Sequence, residues 1–280
     1  DTLVLDDGDN IASATVSNFE NLTFGTGASV TMTVAQHDGF TGTVTAAGTE
    51  QVTFSATGGD TATTGNAAIE TYVLGTGGIT FTLGTAAQNV TGSSGADTVN
   101  AGTFTATGTL NGNGGTDTLS LGTGANIAGA TVSSFENLTL ASGASVTMAA
   151  AQSAQFSGTI TAAGSETVSI TGDGNFTTLA NIETYSVGDD STNTRTITIG
   201  GAGTSVTANS ATDAVTFNAG SLTLTGTLTG EGTVNDTLQL GNNASVSGAT
   251  ISNIENLTVD SGASVTMTVA QHDGFTGTVA

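Results

Sequence analysis

The 280-residue chain carries 23 acidic residues against a single basic one, for a formal charge of −22, and it contains 41 Gly but no Pro, Cys or Trp. One cation cannot neutralise a row of phosphates, which excludes nucleic acid and anionic membrane surfaces as partners, and a chain without cysteine has neither a disulfide nor a thiolate metal site. No apolar run approaches the ~20 residues that cross a bilayer, so helical membrane insertion is excluded too.

Asp1-Thr-Leu-Val-Leu5 predicts a first strand, with side chains two apart sharing a face. The following Asp6-Asp7-Gly8-Asp9 reads as a charged surface loop, because its counterparts are Gly122-Thr-Gly-Ala125 and Gly241-Asn-Asn-Ala244. Further strands follow at Glu20–Phe24, Val30–Val34, Glu50–Phe54, Glu70–Leu74, Ile79–Leu83, Asp97–Val99, Asp117–Leu121 and Glu136–Leu140. The same pattern, an acid followed by apolar residues at alternate positions, continues at Glu166, Glu183, Asp213, Asp236 and Glu255. Gly, Asn, Ser and Thr between the strands suit tight corners, and no segment shows a sustained helical period with caps. His37-Asp38 reads as an exposed loop, with a ligand or acid–base pair as the alternative, since the middle copy has Ser153-Ala154. Arg195, the only Lys or Arg, is expected at the surface beside Asp189 or Asp190.

Self-comparison organises the chain into units. Asp1-Thr-Leu-Val-Leu5 returns at Asp117 and Asp236, dividing it into residues 1–116, 117–235 and a partial 236–280 of one continuous solenoid. Residues 27–44 recur unchanged at 262–279. Twelve acids occupy one recurring position at intervals of 17 to 30 residues. Short strands, corners between them and this irregular turn predict an all-β parallel β-solenoid with coils of about 17–30 residues; a β-sandwich is the second choice. Complete absence of Pro fits a backbone in which nearly every N–H joins a ladder. Stacking would place the recurring acids in a column at one corner, roughly 4.8 Å apart, where like charges repel unless a hard cation such as calcium intervenes.

Gly92-Ser-Ser-Gly95-Ala-Asp97-Thr-Val99 and Gly112-Asn-Gly-Gly115-Thr-Asp117-Thr-Leu119 are similar to the calcium-binding nonapeptide of RTX proteins. The wider style, with Ser17-Asn-Phe-Glu20-Asn-Leu-Thr and its copies at Ser133 and Ser252, resembles the β-solenoid repeat regions of type I-secreted bacterial adhesins and S-layer proteins. The resemblance implies calcium at one edge, held by Asp97 and Asp117 with carbonyls of Gly92, Gly95, Gly112 and Gly115. These aspartates are 20 residues apart, near one coil, and not nine. A hydrogen-bonded corner without metal is the other reading of that edge.

Catalysis is not expected. The acids repeat without a unique constellation, and one Arg is too few for a lyase acting on acidic polysaccharide. The expected function is therefore structural: a segment of a secreted bacterial surface repeat protein, extracellular, forming a calcium-stabilised rigid rod or filament (adhesin shaft, fibre or sheath) by stacking on neighbouring repeats or copies of itself. An adhesive module for glycan, ice or a partner cell is the alternative. The Thr-x-Thr pairs at Thr31, Thr80, Thr196 and Thr223 do not recur at coil spacing, which speaks against an ice-binding plane.

Overall fold

Alternation of apolar and hydroxyl-bearing residues, with no proline to interrupt a ladder, gives strands that bury every second side chain. The computed structural model describes residues 1–55, 61–189, 194–209 and 212–280. Among the described residues the strands are short, their pairings are parallel and three brief helices accompany them, so the fold is the expected parallel β-solenoid. Two compact units, residues 1–139 and 140–280, are each described below.

In the first unit, one face consists of Ser29–Met32, Gln51–Phe54, Thr71–Val73, Asn89–Thr91, Thr109–Asn111 and Thr131–Ser133. Their register stacks Val30, Val52, Tyr72, Val90, Leu110 and Val132 into one buried column. Between these strands the chain crosses to Ala62–Thr64, Thr80–Thr82, Thr98–Gly102, Thr118–Leu121 and Asn137–Leu140, which align Thr63, Phe81, Val99 and Leu119. Each fully buried aliphatic or aromatic side chain in such a column stabilises by about 1.5–3 kcal/mol. Thr63 is the polar head of an otherwise apolar stack.

A separate ladder joins Thr2–Leu5, Asn21–Phe24 and Val44–Thr45. Strand Val44–Thr45 does not pair with Ala62–Thr64, so both expose an edge. Helix Val34–Gly39 precedes this break. It starts with a capping box in which Gln36 N–H donates to Thr33 Oγ1 at 3.1 Å and Thr33 N–H donates to Gln36 Oε1 at 2.8 Å. The helix was not expected, because six residues are too few to display a period, although Thr33-x-x-Gln36 is its sequence signature.

The second unit repeats the plan. Ser145–Ala149, Thr167–Thr171, Thr184–Val187, Ser205–Ala208, Thr227–Thr229 and Thr250–Ser252 form one face. Phe176–Thr177, Thr194–Thr198, Ala214–Gly220, Thr237–Leu240 and Asn256–Val259 form the other, stacking Phe176, Ile197, Phe217, Leu238 and Leu257. A four-residue helix, Ala150–Ser153, takes the place of Val34–Gly39. Arg195 departs from expectation: it is buried on Thr194–Thr198 and its guanidinium donates to the Gly172 carbonyl. Asp190, one of its expected partners, lies outside the described residues.

Candidate functional site

The recurring acids stand at corners where the chain enters a strand, and there a main-chain N–H is left without a sheet partner unless a side chain supplies one. The carboxylate of the next coil supplies it. Glu50 N–H donates to Glu70 Oε2 at 2.9 Å, Asp97 N–H to Asp117 Oδ1 at 2.7 Å, and Asp117 N–H to Glu136 Oε2 at 2.9 Å. In the second unit Glu166 N–H donates to Glu183 Oε2 at 3.0 Å and Asp236 N–H to Glu255 Oε2 at 2.9 Å. Each bond spans 17 to 20 residues, the length of one coil.

The expected single column is corrected to short ladders on alternating faces. Within the first unit, Glu50 and Glu70 precede strands of one face, whereas Asp97, Asp117 and Glu136 precede strands of the other. The physical reason lies in the spacing. Paired coils are offset by 17 to 23 residues, so the steps of 30 from Glu20 to Glu50 and 27 from Glu70 to Asp97 exceed one coil and carry the acid across to the opposite face. In the second unit the step of 30 from Glu183 to Asp213 does the same. Asp213 also falls two residues short of the ladder, since Val215, in register with Asp236, donates its N–H to Asp236 Oδ1 at 2.7 Å.

The structure brings all six residues of the expected calcium edge together. Asp97 and Asp117 are both buried. Asp97 Oδ1 accepts from Ile79 N–H at 2.7 Å, and its Oδ2 accepts from Ser93 N–H at 2.6 Å and Ser93 Oγ at 2.9 Å. The two aspartates leave one oxygen without a donor, Asp117 Oδ2. Calcium takes six to eight oxygens. The glycines have a steric role here, because a Cβ on Gly92 would lie 2.2 Å from Gly112 O, one on Gly112 1.9 Å from Ser134 O, one on Gly115 2.3 Å from Gly95 O, and one on Gly95 2.9 Å from Gly78 N. Among the described residues no three His, Cys, Asp or Glu side chains cluster; the expected calcium set rests on two carboxylates and four main-chain carbonyls.

Burial and donors push these acids in opposite directions. Burial, helped by the charges of Asp97 and Glu136, raises Asp117 above the ordinary carboxylate range although Asp97 N–H opposes it. Burial likewise lifts Asp236 to about 6, against the N–H groups of Val215 and Glu231. At Glu166 burial also pushes upward, but the N–H groups of Gly143 and Ala163 on Oε1 and a hydrogen bond with Glu183 outweigh it and hold the group low.

A second cluster contradicts the exposed-loop reading of His37-Asp38. His37 is only 8 % exposed. Its Nε2 lies 3.1 Å from the Tyr72 hydroxyl and its Nδ1 lies 2.9 Å from Asp38 Oδ1. Thr63 Oγ1 donates to Asp38 Oδ1 at 2.5 Å and lies 3.2 Å from His37 Nδ1, while Asn66 N–H donates to the Tyr72 oxygen at 2.7 Å. One tautomer satisfies the set: Tyr72 O–H donates to Nε2, and Nδ1–H donates to Asp38. Thr63 and the Tyr72 hydroxyl had no signal in the sequence, since both occupy strand positions that point into the core. Their partners are 26 and 35 residues away.

No protein-family model, no curated protein and no solved structure matches this chain.

Proposed function

We propose that this chain is a structural segment of a secreted bacterial surface repeat protein, forming part of an extracellular rod, fibre or sheath. The supporting observation is the corner bond, in which a buried carboxylate of one coil, Asp117 in the first unit and Asp236 in the second, takes a main-chain N–H of the preceding coil. Such bonds serve stacking. Stacking beyond the chain is favoured by the identical segments 27–44 and 262–279.

Calcium at the Asp97–Asp117 edge is the metal part of this proposal. Thermal melts followed by circular dichroism, with chelator and with added calcium, test that point: unchanged melting supports the hydrogen-bonded corner, and a calcium-dependent rise assigns a metal to it. Small-angle scattering and immunogold labelling of producing cells test the rod and its location. A globular scattering profile or purely internal label overturns the reading.

One observation favours the adhesive alternative. Outward positions on the first face of the second unit read Ser145, Thr167, Thr184, Ser205, Thr227, Thr250 in one column and Thr147, Ser169, Ser186, Thr207, Thr229, Ser252 in the next. Thr-x-Thr spacing does not mark this array, because five of its six rungs carry one Ser in place of Thr. A glycan array and an ice-recrystallisation assay decide whether it binds.

A further inference from the structure

The break between Val44–Thr45 and Ala62–Thr64 opens a cavity of about 540 Å³ in the first unit, within the range of small-molecule sites. Leu22, Phe40, Val44 and Ile69 provide apolar wall, and among the described lining residues Asp38 is the one carboxylate. Its Oδ1 is fixed by Thr63 and His37, whereas Oδ2 takes no hydrogen bond among the described residues. The side chain is 45 % exposed. Burial raises the Asp38 carboxyl, but the donors His37 and Thr63 outweigh it and hold the group below its ordinary value. The cavity thus contains an oriented carboxylate with one open oxygen.

The second unit shows that the fold does not need this cluster. Tyr185 stands where Tyr72 does, and its hydroxyl accepts Leu179 N–H at 2.7 Å as Tyr72 accepts Asn66 N–H. A cavity of about 430 Å³ opens at the equivalent break, beside Phe156 and Ile160. There His37, Asp38 and Thr63 are replaced together by Ser153, Ala154 and Phe176. Ser153 Oγ turns back to the Ala150 carbonyl, and the Phe176 ring lies 6.0 Å from that of Tyr185, much as His37 lies 5.6 Å from Tyr72. A helix, a Phe plug and a Tyr contact therefore form without any of the three polar groups. All three change as a set, as expected of groups that act together.

We propose that the first-unit cavity binds a small organic cation, an alkylammonium group paired with Asp38 and an apolar body against Phe40, Val44 and Leu22, with His37 and Thr63 as positioning residues. The field of a chain with net charge −22 favours such a ligand over an anion.

The test is calorimetric titration of the whole chain with n-butylammonium chloride at physiological salt, with 1-butanol as the neutral control. Saturable binding of one equivalent is expected, weakened about tenfold or more both in 1-butanol and in Asp38→Asn. A transplant, Ser153→His with Ala154→Asp and Phe176→Thr, is expected to raise the stoichiometry from one to two, and it keeps the proposal testable if Asp38→Asn fails to fold. Non-saturable binding, equal binding of 1-butanol, Asp38→Asn within twofold of the parent, or a folded transplant with no second site would each overturn the assignment.

Discussion

The main-chain N–H of Asp97 points at the Oδ1 of Asp117, 2.7 Å away in the following coil. Asp117 is thereby the acceptor for a buried N–H that has no strand partner, while its own Oδ2 is buried without a donor. Charge and shape at this position have separable effects. Asp117→Asn keeps an acceptor for Asp97 N–H and removes a charge that burial disfavours, so its stability at neutral pH should match or exceed the parent's. Asp117→Ala strands the N–H and should cost about 1–3 kcal/mol. Urea denaturation of the two variants checks the order; equal losses would show that the acceptor is irrelevant.

Stability should peak in mildly acidic solution. The folded-state values of Asp117 and Asp236 are raised, the latter to about 6, so the folded protein holds these protons more tightly than the unfolded chain does. Their unfavourable contribution at neutral pH is relieved as pH falls through the folded value toward the unfolded ~3.9. Glu166 is lowered, so its contribution is present above the unfolded value and lost as pH falls further through the folded one. Melting temperatures between pH ~4 and ~8 should therefore rise on mild acidification and then drop. A maximum at the alkaline end would contradict the burial of these groups.

Two glycines distinguish close stacking from open corners. Ala at Gly112 would place its Cβ 1.9 Å from Ser134 O, a backbone atom that cannot yield without breaking the coil register. Ala at Gly77 meets nothing within 4 Å, and Gly77 is not in the left-handed region. Gly112→Ala should cost more than ~2 kcal/mol and Gly77→Ala less than ~0.5 kcal/mol. Chemical denaturation of both variants measures the difference.

The two tyrosines offer a matched comparison. Removing the Tyr72 hydroxyl deprives Asn66 N–H of its acceptor and His37 Nε2 of its donor, while removing that of Tyr185 deprives Leu179 N–H alone. Tyr72→Phe should lose about 1–3 kcal/mol and Tyr185→Phe roughly half as much. Similar losses in thermal melts would mean that the His37 contact adds nothing.

Much of the architecture was legible because β-structure writes its period directly into the sequence. Pairs such as Leu119 and Leu121, or Val52 and Phe54, announce an inward face, and the absence of proline announces unbroken ladders. The acid before each strand was equally visible. Its ladder was not, because averaging the intervals hid two classes: steps of 17 to 20 residues that stay within a ladder and steps of 27 to 30 that change face, with the 23-residue step from Asp213 starting two residues short of its ladder. Twelve acids at one sequence position thus belong to several corners. Local alternation and composition by themselves determined the fold class, the repeats and the acidic corners. Only the tertiary structure decided which coils are neighbours, and with that which carboxylate meets which N–H and whether His37 is buried. Those outcomes depend on register between segments about twenty or more residues apart, and no local propensity encodes register.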